Sequence, residues 1–393
     1  MAGEQHKTTL RPETEVIHLG RDPQRFDGFV NTPVVRGSTV LYPSYDDLIH
    51  HRGRYSYGRH GTPTTEDLAT AIQALEEGDG VVLTPSGLSA VTVALLSALK
   101  AGEHLLMVDS VYMPTRTFCD TFLADMGVKT TYYDPLIGEG ITGLIHENTR
   151  AIFLEAPGSQ SFEMQDVPAI TAIARARGIT TLIDNTWATP LFFKPHAFGV
   201  DLSIQAATKY ICGHSDALLG TVSAIGPALK KLKATYRALG FSVSPDDAAL
   251  GSRGLRTLAV RLAHHQQAGL DMANWLLARP EVSRVLHPAL PSDPGHGIWK
   301  RDFTGASGLF SIILKPVPEK ALATFFDSLT LFGMGYSWGG FESLAIPFDC
   351  STYRTVTRWA PEGPAVRLHI GLENLDDLKA DLDNAFAQMR AQS

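Results

Sequence analysis

Residues 184–220 hold the side chains best suited to chemistry: Asp184, closing the apolar run 179–183, and a lysine, Lys209, shortly after a second apolar run at 201–204. In open α/β sheets ligands sit at the carboxyl ends of parallel strands, so an acid and an amine delivered there face a crevice. Lys209 stands among Ala206, Ala207, Thr208, Tyr210, Ile211 and Cys212. Such poorly hydrated company disfavours the ammonium and turns the amine towards a nucleophile. A lysine of this kind commonly forms a Schiff base with a carbonyl, pyridoxal phosphate (PLP) being the commonest protein-bound case, and that cofactor also wants a carboxylate at its pyridine nitrogen. Asp184 suits the second role. Taken alone, the pair fits equally well a surface lysine at a strand end and an Asp that caps a helix.

The elements that must position the pair follow a βα alternation. Apolar strand-like runs fall at 81–83, 104–108, 128–133, 150–154, 179–183, 201–204 and 218–225, with helical periods at 64–77, 90–99, 167–177 and 227–239. The 64–77 helix is expected to open at Thr65, with Glu66 and Asp67 in its first turn. A long helix over 257–277 connects to a second α/β unit with strand candidates at 309–314 and 328–332 and a closing amphipathic helix at 376–389. At 393 residues more than one compact unit is expected. The boundaries read from the pattern are an N-terminal arm at 1–61, a large unit at 62–256 and a smaller C-terminal unit at 257–393.

Composition narrows the function classes. Hydrophobic residues make up 44% and charged residues 19% of the chain, an ordinary globular balance. A net charge of −7 without a Lys/Arg block argues against nucleic acid or an anionic membrane as partner. The run Lys230, Lys231, Lys233 reads as a solvated helix face. The three cysteines, Cys119, Cys212 and Cys350, are scattered and lack CxxC spacing, which disfavours disulfides and zinc and suits a reducing cytoplasm. No apolar run is long enough for a membrane span, and no GxGxxG follows a strand. His214 and Asp216 lack a third metal ligand at useful spacing, so no metal is expected.

Other stretches could serve the crevice. Val81-Val82-Leu83 leads through Ser86-Gly87-Leu88 into an apolar helix, and a helix N-terminus after a glycine turn offers free N–H groups to an anion, although any plain βα turn looks similar. Tyr112 lies just past a strand end, where an aromatic ring can cover a pyridine or simply fill a rim. Glu155, Ser159 and Gln160 fall in the loop after another strand as lining residues without a role, and Trp187 and Phe192 read as packing. Tyr57 and Arg59, in YSYGR, share one side if that segment is extended. Arg367 alternates with apolar residues in VRLHIGLE, where burial without a carboxylate partner would be costly.

These motifs together resemble the Cys/Met-metabolism PLP enzymes. The likeness runs from about residue 55 to about residue 378 and rests on AATKY with GHSD around Lys209, the DNT at 184–186, the SGL at 86–88, Tyr112, YSYGR, SWGG at 337–340 and RLHIGLE at 367–373. It implies an aspartate aminotransferase-like (fold type I) architecture: a mostly parallel seven-stranded sheet with helices on both faces, plus a smaller C-terminal α/β domain. It also implies roles. Lys209 carries pyridoxal 5'-phosphate and moves protons, Asp184 meets the ring nitrogen, and Tyr112 stacks on the ring and joins proton transfer. Ser86, Gly87, Leu88 and Thr208 hold the phosphate, joined by Tyr57 and Arg59 from a neighbouring subunit. Arg367, Ser337, Trp338, Tyr236 and Tyr57 receive the amino-acid substrate. One departure is Ala206, where many relatives have a serine phosphate ligand, which leaves Thr208 or a neighbour to supply the hydroxyl. The γ-acting relatives usually have Leu where Trp338 stands, whereas the bacterial β-eliminating ones have SWGG. The expectation is therefore β-elimination of L-cystathionine to homocysteine, pyruvate and ammonia by a cytoplasmic homotetramer with shared sites. A γ-acting relative is the alternative, and a non-catalytic binding relative a more distant one.

Overall fold

A computed structural model describes residues 10–392. Seven strands form the larger sheet: β1 Gly80–Thr84, β2 His104–Val108, β3 Lys129–Tyr133, β4 Thr149–Glu155, β5 Thr180–Asp184, β6 Leu202–Gln205 and β7 Gly220–Ala224. Their order is β1-β7-β6-β5-β4-β2-β3. β7 runs antiparallel to both neighbours and the remaining pairings are parallel. The central strands are continuous apolar runs because helices cover both sheet faces. Leu105, Leu106, Met107, Ile152, Phe153, Leu154, Leu182 and Ile183 are at most 1% exposed. In-register pairing sets Glu155 beside Asp184 at the carboxyl ends of β4 and β5.

The second sheet consists of β8 Val282–Leu286, β9 Leu309–Leu314, β10 Leu344–Phe348 and β11 Ala365–His369 in the antiparallel order β10-β11-β9-β8. Alternation along β11 divides its residues. Val366 and Leu368 enter a core shared with Met272, Phe325, Leu382 and Phe386 from the helices Leu258–Leu277, Glu319–Asp327 and Leu375–Arg390. Arg367 and His369 lie on the other face.

Several sequence readings shift. The helix expected from Thr65 is Pro63–Glu76, capped by Thr62, whose hydroxyl and that of Thr65 form a reciprocal capping box. The strand expected at 328–332 is a loop with one bridge, Gly333 to Leu344. Its backbone N–H groups are satisfied not by a ladder but by the Asp381 carboxylate, which accepts from Thr330, Leu331 and Phe332. The helix Pro245–Arg256 was not foreseen, nor were β8 and β10. Within the expected arm, the short helix Pro12–His18 docks on its own chain: Val16 is 1% exposed and Arg256 donates to the carbonyls of Val16 and Leu19 at 2.7 and 2.8 Å. Beyond it, Phe29, Val30, Leu41 and Tyr45 are exposed on this chain. Residues 1–9 of the arm lie outside the described residues.

The two sheets are tied together at Asp109, one residue past β2. Its carboxylate is inaccessible to solvent and accepts from Arg116 Nη2 at 2.7 Å and, in the loop between β10 and β11, from Arg354 Nε at 3.0 Å, Thr355 N at 3.0 Å, Val356 N at 3.1 Å and Thr357 N at 2.9 Å. Burial alone would raise its pKa, but the amides of Thr357 and Thr355 and the Arg116 guanidinium outweigh that and hold the acid well below the usual carboxylate range. Asp109→Ala would leave the side chains of Arg116 and Arg354, 4% and 3% exposed, without this counter-charge. A loss of about 3–5 kcal/mol in unfolding free energy is expected from chemical denaturation.

Candidate active site

Lys209 sits in a turn after β6, on the crevice formed by the strand ends. Its Nζ donates to Ser337 Oγ at 2.6 Å and lies 5.3 Å from the centre of the Trp338 ring. Burial, and next the Arg367 charge, lower its pKa to about 8, with Asp184 pulling the other way. The amine is thus available in neutral form near physiological pH.

Asp184 ends β5. Thr186 donates to its Oδ1 through the backbone N–H, at 3.0 Å, and through the hydroxyl. That hydroxyl also accepts the N–H of Ala206 at 2.8 Å, so one side chain joins the acid's strand to the lysine's loop. Burial pushes the Asp184 pKa up, and Thr186 and Lys209 offset part of that. Beside it, the buried Glu155 accepts Tyr112 N at 2.9 Å. Burial, then the Asp184 charge, drive the Glu155 carboxyl well above its usual range, which favours its protonated form. The sequence reading left Glu155 without a role. Tyr112 is 46% exposed, and burial, Asp184 and Glu155 together raise its phenol pKa.

On the other wall the helix Gly87–Ala98 begins at Ser86, whose hydroxyl and that of Ser89 cap its first turn. The N–H groups of Gly87 and Leu88, in that first turn, have no acceptor within the helix. A β-carbon on Gly87 would stand 2.4 Å from Ala206 Cβ, so the helix start and the lysine loop touch at a point that admits only small residues. Thr208 does not match the expectation of a free hydroxyl. Its Oγ1 donates to Leu219 O at 3.1 Å and accepts Leu219 N at 2.9 Å, because the loop before β7 must satisfy its own backbone.

From the second sheet come Arg367, Ser337 and Trp338. Arg367 is partly buried and Nη2 donates to Ser337 O at 3.0 Å. Burial lowers its pKa to about 10, and among the described residues no ion pair joins it to a carboxylate. Trp338 leans on Tyr210 with ring centres 5.5 Å apart.

Tyr57, Arg59 and Tyr236 are not brought to Lys209 within this chain. Arg59 and Tyr236 line a separate cavity of about 340 Å³ together with Arg54, Lys233 and Arg237, and neither Lys209, Asp184 nor Arg367 borders it. Tyr57 is 44% exposed, its backbone bridged to Thr39.

A desolvated lysine, a carboxylate at a strand end, a helix N-terminus and an unpaired arginine thus share one crevice. The sequence pattern of the Cys/Met metabolism PLP-dependent enzymes matches residues 13–387. The chain belongs to that family. A protein of Rhizobium johnstonii named "Putative cystathionine beta-lyase" is 52% identical over 96% of this chain and 96% of its own. Escherichia coli "Cystathionine beta-lyase MetC" is 43% identical over 96% of this chain and 98% of its own. Among solved structures, a cystathionine gamma synthase from Xanthomonas oryzae pv. oryzae in complex with cystathionine superposes with a TM-score of 0.91, at 28% identity, over 98% of this chain and all of that one. The cofactor of the family is pyridoxal phosphate, and the crevice fits it. The amine of Lys209 is desolvated, Asp184 is an acid at a strand end, and the Gly87–Ala98 helix starts against the lysine loop at Ala206 with first-turn amides that have no acceptor within the helix.

Proposed function

We propose that the protein is a carbon–sulfur lyase that removes the β-substituent of L-cystathionine, yielding homocysteine, pyruvate and ammonia for methionine biosynthesis. The observation that carries the reading is the placement of the Lys209 amine, 2.6 Å from Ser337 and with a pKa lowered to about 8, between the charges of Asp184 and Arg367. Lys209 would hold the cofactor, Asp184 would face its ring nitrogen, and Tyr112 would lie on the ring. The amides of Gly87 and Leu88 would take the phosphate beside Ser86, whose own N–H is held by Ser89 Oγ at 2.9 Å, with Thr208 contributing if its Leu219 contacts loosen. When bound, pyridoxal phosphate draws electrons from Cα of an amino acid.

The chain's own groups do the rest. Arg367 presents a planar fork to the substrate α-carboxylate, and the backbone at Ser337 and Trp338 borders the same place. The neutral Lys209 takes the Cα proton while Ser337 Oγ holds the amine in line. As the Cβ–S bond breaks, the electron pair leaves on sulfur as homocysteine thiolate, and the proton on Lys209 is available to neutralise it. The released enamine reacts with water to give pyruvate and ammonia. Trp338, with its ring beside the amine, favours β- over γ-elimination, and the names of the more similar relatives support that choice.

We also infer that Tyr57, Arg59 and Tyr236 complete the site of a neighbouring subunit, because on their own chain Arg59 and Tyr236 stand on a separate cavity and Tyr57 is exposed. The assembly would be a homotetramer built as a dimer of dimers, working in the cytoplasm. The domain boundaries near residues 61 and 256 belong to this reading.

Product analysis tests the reaction. Purified enzyme given L-cystathionine should release pyruvate and homocysteine in equal amounts. Release of 2-oxobutyrate and cysteine instead would assign the chain to the γ-acting relatives.

A further inference from the structure

β11 places two basic side chains on its crevice-facing side, and the reaction as read uses only Arg367. The second, His369, is 1% exposed. Its Nε2 accepts the backbone N–H of Gly339 at 3.0 Å, and its Nδ1 lies 3.0 Å from the Glu342 carbonyl oxygen. Only Nδ1–H can donate to that carbonyl, so the ring is the neutral tautomer with its proton on Nδ1. Burial, then the neighbouring His265 ring 5.3 Å away, hold its pKa well below the usual imidazole value. A proton on Nε2 would also face the Gly339 donor.

The bond to Gly339 bears on the lysine. Gly339 has φ +83°, and a β-carbon there would lie 2.9 Å from Tyr210 N and 3.0–3.1 Å from the carbonyl carbon and Cα of Lys209. Its backbone therefore rests on the Lys209 peptide. Two residues earlier, Ser337 is a non-glycine residue at φ +87°, a region that costs on the order of 1–3 kcal/mol and persists only where surroundings impose it. Arg367 fixes the Ser337 carbonyl, and His369 fixes the chain just beyond. Between these anchors the Ser337 hydroxyl meets the Lys209 amine.

We propose that His369 is a positioning residue: by accepting the Gly339 N–H and donating to the Glu342 carbonyl, it holds residues 337–339 against the Lys209 peptide and so aims the Ser337 hydroxyl at the reacting amine. The proposal rests on the reading of Lys209 as the group that moves the Cα proton. If His369 only filled the core, any side chain of similar volume would serve. The hydrogen-bond geometry demands more, and the amide side chains separate the two contacts. Gln reaches the Nε2 position and can accept from Gly339, Asn reaches only the Nδ1 position, and Leu keeps volume with neither.

The test compares His369→Leu, His369→Asn and His369→Gln. In His369→Leu, kcat for cystathionine is expected to fall about 10- to 100-fold with KM changed by less than about threefold, since a displaced catalytic group costs rate rather than ground-state binding. Gln should recover most of kcat and Asn little. In the apoprotein, amide hydrogen exchange at Gly339 should accelerate about tenfold or more in the Leu and Asn variants and stay near wild type in Gln. Losses from His369→Leu and Ser337→Ala should not multiply in the double variant. Equal behaviour of the three variants, multiplying losses, or unchanged Gly339 exchange would each overturn the positioning role. Should Ser337→Ala leave kcat untouched, the reading of Lys209 and Ser337 fails instead, while Gly339 exchange still decides whether His369 holds the loop.

Discussion

Lys209→Met is expected to abolish turnover while making the apoprotein more stable at neutral pH. Removal of a residue that moves the substrate proton costs roughly 10²- to 10⁴-fold, and Lys209 is also the proposed attachment point of the cofactor, so loss at or beyond the upper end is expected. The stability effect follows from the same desolvation. Folding lowers the amine's pKa from 10.5 to about 8, burial being the first cause and Arg367 the second. Well below pH 8 the lysine is an ammonium in both folded and unfolded chains, so the folded state carries the full penalty, on the order of 3 kcal/mol for a shift of that size. As pH rises from about 8 to about 10.5 the folded lysine is neutral while the unfolded one still holds its proton. The penalty then fades. The variant's advantage in denaturant midpoint should therefore be largest near pH 7 and shrink towards zero by pH 10.5. A constant advantage across that window would mean that the amine is solvated and not poised for chemistry.

The crevice was legible where residue type and spacing had one good explanation. Runs such as 104–108 and 150–154 are apolar without alternation, which suits strands covered on both faces, and they became β2 and the body of β4. Asp184 ends β5, and Ser86 and Lys209 follow closely on β1 and β6, so the pattern that placed the strands placed them too. Legibility failed where a side chain replaced a ladder or a glycine served packing. The loop at 328–332 has strand-like residues, yet Asp381, about fifty positions later in the chain, supplies its acceptors. The helix Pro245–Arg256 looks like a turn because it carries Gly251 and Gly254. A β-carbon on Gly254 would come within 2.2–2.4 Å of the carbonyl oxygens of Cys212 and Ile211, so that helix lies directly on the loop after Lys209. His369 was passed over as one more strand residue, although its two-residue offset from Arg367 puts both on one face. Thr208 was expected to offer a hydroxyl, and only the fold reveals that Leu219 already occupies it.

Arg367 gives the second large effect, and its sign differs between binding and folding. The guanidinium is partly buried, donates to the Ser337 carbonyl and has a pKa lowered to about 10 by that burial, with no carboxylate paired to it among the described residues. A cation held this way is a cost to the folded chain unless a ligand supplies the anion. Arg367→Leu should therefore raise the denaturant midpoint of the ligand-free protein, while lowering kcat/KM for cystathionine by about 10²- to 10³-fold through loss of a bidentate charge-assisted contact. Arg367→Lys keeps the charge but not the fork, and should recover no more than about tenfold of that loss, because an ammonium meets a carboxylate as a point. The loss should fall mainly on KM if the carboxylate contact is the same in substrate and transition state. Should it fall on kcat alone, the arginine would be orienting the Cα–H bond towards Lys209 rather than merely capturing the substrate. Arg367→Leu with unchanged kcat/KM would show that the α-carboxylate is received elsewhere, and the crevice would then have to be read with the substrate turned around.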